Sequence, residues 1–142
     1  MIWASTHSTH LQKIILLQKR FVRLATSSDR LEPSAPLFKK LNILSVSEVN
    51  SLQICIFVYK CIYDQCNLPN GFNSFFSFNS DIHSYVTRQS KDLHVPYCRT
   101  SLRQFSIRFR GANLWNAADP MLKGSSLLVF KANYKKMLIA KM

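Results

Sequence analysis

Glycine is scarce in this chain, with three residues in 142. That excludes the glycine-rich loops whose bare backbone cradles phosphate groups. Acids are few as well: Asp29, Glu32, Glu48, Asp64, Asp81, Asp92 and Asp119, none adjacent to another. A two-metal polymerase or nuclease centre needs carboxylates close enough to share divalent cations. The one close pair, Asp29 and Glu32, falls in a linker. The four cysteines, Cys55, Cys61, Cys66 and Cys98, lack the paired spacing of a zinc site. They read as reduced, buried thiols of an intracellular protein, nuclear or cytoplasmic, with a disulfide or metal role as the alternative. No G-x-S-x-G is present, and no identifiable base stands beside a cysteine. His7 and His10 have a spacing that would suit a metal on a helix, but they are expected to precede the helix. His83 and His94 read as polar loop residues. No apolar run approaches the roughly 20 residues a membrane span needs. The first strong apolar run begins at Ile14 and is soon broken by Lys19 and Arg20, unlike a secretory signal. Residues 1–28 are acid-free, basic and rich in Ser and Thr, a composition shared with mitochondrial transit peptides. The expectation is a chain that is not an enzyme by itself, with no cofactor, no metal and no small-molecule substrate.

Cations and apolar residues are plentiful. Lys and Arg number 19 against seven acids, a formal net charge of +12. Such an excess repels itself unless a polyanion offsets it. Hydrophobic residues make up 47% of the chain, ten of them Phe, which excludes a disordered tail. The length suits one domain or a piece of a larger protein.

The pattern predicts a mainly α fold with a small β element, built as amphipathic helices around a central buried helix. That central helix is Val46 to Tyr63, apolar on all sides and capped by Ser47. An earlier helix runs from a cap at Ser8 or Thr9 to about Ala25. Its apolar arc holds Leu11, Ile14, Ile15, Leu17, Phe21, Val22, Leu24 and Ala25, and its opposite arc Lys13, Lys19, Arg20 and Arg23. Trp3 before it has no evident partner. Residues 26–36 read as a linker, and Pro36 suits the first turn of a short second helix. Residues 65–81 form a Phe/Asn/Ser-rich loop whose rings are expected to tuck under the core. A short hairpin or strand is expected within 93–110, because Phe105, Ile107 and Phe109 alternate with Ser106, Arg108 and Arg110. Leu114 and Trp115 mark a short helix, and Leu127, Phe130, Tyr134, Met137 and Leu138 stripe a final one capped by Ser125 or Ser126.

Charge and aromatics point to nucleic acid first. Lys13, Lys19, Arg20 and Arg23 form one candidate surface; Arg88, Arg99, Arg103, Arg108 and Arg110 form a second. Arginine pairs with phosphate through a planar fork and stacks on bases. Arg20, Arg23, Arg108 and Arg110 are the foremost candidates for phosphate contact, and Trp115 is assigned to core packing. Six phosphate contacts would give log affinity a slope of roughly −4 to −5 against log salt. Two alternatives are a surface that packs on a protein neighbour and a membrane-surface binder using the first helix.

Six segments in order carry a resemblance: LQKRFVRLATSS (17–28), SAPLFKKLNILSV (34–46), FVYKCIYDQCNLPNGF (57–72), HSYVTRQSKDL (83–93), RTSLRQFSIRFRGANLWNAADP (99–120) and SLLVFKANYKKML (126–138). Together they resemble the C-terminal region of non-LTR (LINE-type) retrotransposon reverse transcriptases, over nearly the whole chain. His83, Ser84, Tyr85, Thr87 and Arg88 match that family's H-x-Y-x-T-R segment, and Gly111, Leu114, Trp115 and Asn116 its G-x-x-L-W-N segment. The family's W-N-x-L-P departs here to Trp115-Asn116-Ala117-Ala118-Asp119-Pro120. The resemblance implies a non-catalytic tail that follows the polymerase, with template RNA or primer duplex and the upstream polymerase region as partners. The polymerase carboxylates are not in this chain.

Overall fold

The computed structural model describes residues 4–64, 68–72, 74–85 and 87–141. The expectations for Trp3 and Cys66 fall outside them. The chain is mainly helical: α1 (Ser8–Ala25), α2 (Ser34–Leu41), α3 (Val46–Tyr63), a 3-10 turn (Asn70–Phe72), α4 (Asn79–Ile82), α5 (Ser101–Gln104), α6 (Ile107–Asn116), α7 (Pro120–Lys123) and α8 (Leu127–Lys141).

α3 is the axis of the packing. Its start is a capping box: Ser45 Oγ accepts the Glu48 N–H, and Glu48 Oε2 accepts the Ser45 N–H at 2.9 Å. The cap is thus Ser45 rather than Ser47, because only Ser45 has a glutamate three residues on to reciprocate. α6 and α8 pack against α3, and α1 touches it more lightly. Ile54, Cys55 and Val58 are sealed off from solvent. They join Leu93, Ala112, Trp115, Phe130 and Tyr134 in one core. At its centre Phe130 lies 5.2 Å from the Tyr59 ring, 5.7 Å from Trp115 and 5.5 Å from Tyr134, the last pair stacked. The Tyr59 hydroxyl, which would be costly to bury unpaired, donates to the Ser125 carbonyl at 2.7 Å. Trp115 is a core residue, as its side chain's burial shows. Burial pushes the thiols of Cys55 and Cys61 up to about 11. Both are buried, whereas Cys98 is half-buried, contrary to expectation.

A smaller cluster joins α1 to α2 through Val22, Leu37 and Phe38. Gln18 ties this unit to α3, donating to the Leu44 carbonyl at 2.8 Å and accepting from the Val46 N–H at 3.0 Å. α1 differs from its predicted form in two ways. His7 holds the cap position with no side-chain bond, so the helix begins at Ser8 and includes His10. Its apolar arc is only partly used: Leu11 and Val22 are buried and Ile15 half-buried, while Ile14, Leu17, Phe21 and Leu24 are exposed. A neighbouring helix covers one narrow stripe, so so wide an arc cannot all be enclosed from one side.

The predicted strand is a correction. Thr100 and Ser106 each cap a helix, their side chains accepting from Arg103 N–H and Phe109 N–H. Residues 107–116 then bury Gly111, Ala112 and Trp115 on α3, a helical spacing. Three alternating apolar residues are too few to outweigh two caps, and a strand there would have lacked a ladder partner. The β structure among the described residues is an isolated antiparallel bridge, Phe78 with Leu93. It is flanked by Asn79 N–H to Asp92 O (2.9 Å) and His94 N–H to Ser77 O (2.8 Å). On its other side Leu93 is bracketed by Asn116, whose Oδ1 accepts the Leu93 N–H and whose Nδ2 donates to the Leu93 carbonyl, both at 2.9 Å.

The Phe-rich segment wraps onto Phe57 of α3, with the rings of Phe72 and Phe75 at 5.4 and 5.9 Å. Phe76 reaches further, to the crossing of α3 and α6. A Cβ built at Gly111 would lie 2.9 Å from both Phe76 Cζ and Val58 Cγ2. Gly111→Ala gains about 1 kcal/mol of helix propensity. It also forces an overpacking cost of about 1–3 kcal/mol against the stiff, buried valine. The expected net loss is about 1 kcal/mol, read from a urea midpoint at unchanged m; a raised midpoint would mean the Phe76 ring swings away freely.

Candidate nucleic-acid interface

Two of the four basic residues predicted on α1 converge with a third from outside it. Arg20 and Arg23 line an open cavity of about 720 Å³ together with Leu24, Ser27, Ser28 and Arg30. The turn that brings Arg30 back is set by the helix end. Ser28 N–H bonds the Arg23 carbonyl and Ser27 N–H the Leu24 carbonyl, with Ser27 in the left-handed region at φ 51°. This is the Schellman ending, in which serine takes the place usually held by glycine. Thr26 Oγ1 lies 2.8 Å from Ser28 Oγ and stiffens the same turn. Arg23 is held in place by its Nε donating to the Glu32 main-chain carbonyl at 2.9 Å. That acceptor is a neutral carbonyl rather than a carboxylate. Lys13 is exposed and Lys19 half-buried on the same helix, and neither lines the cavity.

The second predicted group is not gathered in this way. Arg108 and Arg110 are two residues apart on a helix, so they point about 200° away from one another. A strand would have placed them side by side. Arg108 instead fastens the Phe-rich segment. Its Nε donates to the Phe75 carbonyl at 2.9 Å, and its guanidinium lies 5.3 Å over the Phe75 ring. Arg110 is half-buried at a different cavity, of about 540 Å³, between the start of α1, α3 and α5–α6. Burial holds its guanidinium below the usual arginine range. Asn50 lines that cavity too; its Nδ2 donates to the Ala4 carbonyl, while its buried Oδ1 has no partner. Arg99 and Arg103 are exposed beside and within α5.

Arg88 is placed differently again. With His83, Tyr85 and Thr87 it lines a cavity of about 430 Å³, completed by Asn79 and Gln89. The His83 and Tyr85 rings lie 5.7 Å apart. His83, Tyr85 and Arg88, from the segment carrying the H-x-Y-x-T-R resemblance, therefore share one exposed surface of a cation and two flat rings. Among the described residues, no three His, Cys, Asp or Glu side chains are grouped to hold a metal ion.

Arg30 was not marked by sequence reasoning, because a charge in a linker has no periodicity to place it. The signal that bears on it is the Thr26-Ser27-Ser28 run at the helix end, read as a turn that reverses the chain. No family model, curated protein or solved structure matches this chain.

Proposed function

We propose that this chain is a non-catalytic nucleic-acid-binding region that grips phosphate at the Arg20, Arg23 and Arg30 cavity, inside the cell. The observation that carries this reading is three guanidinium groups lining one open cavity in a chain of net charge +12. Guanidinium forks match phosphate oxygens in pairs. The cavity is open, in keeping with a backbone laid across a surface. The surface of His83, Tyr85 and Arg88 supplies what single strands seek, a ring face and a cation together. The resemblance to the tail of LINE-type reverse transcriptases favours template RNA or primer duplex as the bound polyanion.

A titration of the purified chain with labelled RNA and DNA at several salt concentrations tests the proposal. Three phosphate contacts at the cavity are expected to contribute a slope of about −2 to −3 in log affinity against log salt. Binding that is undetectable, or that ignores salt, would end it.

A further inference from the structure

Five large apolar side chains on α1 are exposed; Leu16, at 45%, stands among the cations, and the other four lie along one stripe. Ile14 is 43% exposed, Leu17 62%, Phe21 63% and Leu24 80%. They are spaced three, four and three residues apart, the a and d spacing of a two-helix seam. Together they run about 15 Å along the helix, about three turns. The inner margin of this seam is the chain's own core, formed by Leu11, Ile15 and Val22. The outer margin is cationic, with Lys13 and Arg20 at the positions that flank such a seam, and α1 has no acid at all. At its far end the seam runs into the arginine cavity, since Leu24 belongs to both.

We propose that this seam docks an amphipathic helix whose flanking positions are acidic. A helix laid into an apolar face through i, i+3, i+7 anchors is a recurring recognition mode. Charge selects the occupant. A second copy packed antiparallel would set Lys13 and Arg20 against the same cations, within a pair carrying twice the +12 of one chain. A lipid surface suits an apolar face bordered by cations on both sides, whereas one border of this face is the protein's own core. An acidic helix places carboxylates opposite Lys13 and Arg20, and its end meets Arg23 and Arg30. The seam meets the phosphate grip proposed above at Arg20 and Leu24, while its Leu17 and Phe21 lie outside that grip.

The test uses the full chain and a fluorescent synthetic helix of about three heptads, with Leu at a and d and Glu at the flanks. Saturable binding is expected, and a Lys-flanked counterpart should bind about tenfold or more weakly. The double variant Leu17→Ser, Phe21→Ser changes only exposed side chains, and circular dichroism checks that its helices are intact. It should lose about tenfold or more in affinity for the Glu-flanked helix while its salt-dependent RNA binding stays unchanged. Equal binding of both peptides, or no loss in the double variant, overturns the proposal. So does a concentration-dependent dimer abolished by the variant, which would make a second copy the occupant. Flotation with phosphatidylserine vesicles that the variant abolishes, with no peptide binding, would assign the seam to a membrane.

Discussion

Phe130→Ala is expected to cost about 3–5 kcal/mol of folding free energy. Phe130 is sealed from solvent and touches three other rings, those of Tyr59, Trp115 and Tyr134, so the truncated side chain leaves a hole walled on every side. Rings fixed by their own helices cannot collapse into that hole, which puts the loss toward the upper end of the range. Domains of this size have about 5–15 kcal/mol in total. The variant should therefore show a much lower urea midpoint, with a substantial unfolded fraction at 37 °C. A shift below about 1 kcal/mol would mean that α8 is not seated on α3 as described.

The second large effect concerns binding. Arg20→Gln, Arg23→Gln and Arg30→Gln together remove three charges from one cavity while keeping most of the side-chain length. Counterion release then predicts a salt slope shallower by about 2–3 and an affinity loss of about a hundredfold or more at 0.05 M salt. The same number of changes at Arg99, Arg103 and Arg108, which are exposed and stand apart from that cavity, should cost far less. Near-equal losses would show that the charge acts diffusely and that the cavity has no special part. Circular dichroism controls for Arg23, whose Nε bond to the Glu32 carbonyl also holds the linker.

The parts of the fold that could be read in advance share a property. α3 is apolar on every side, so its burial needs no knowledge of partners, and α8 has one stripe of helical period that ends in the core. α1 was harder. Periodicity shows which side chains share a face, but not how much of that face a neighbour will cover; Leu17 and Phe21 belong to the same arc as Val22 and remain outside. At 105–109 three alternating residues imitated a strand, and the decisive signals were the caps at Thr100 and Ser106. The site was legible in its residue types and only partly in its membership. Arg20 and Arg23 fall together because they are three apart on one helix. Arg30 joins them through Ser27, a residue that seldom adopts the left-handed conformation, so composition alone does not foretell the reversal.

Asn116 has an effect that reaches past the site. In the Phe78–Leu93 bridge, the outward N–H and C=O of Leu93 are the groups through which another chain would add itself as a further strand. The carboxamide of Asn116 occupies both at once. This stretch of extended backbone is thereby closed to recruitment, and a protein with so many exposed apolar side chains offers foreign β-strands no edge at Leu93 on which to grow.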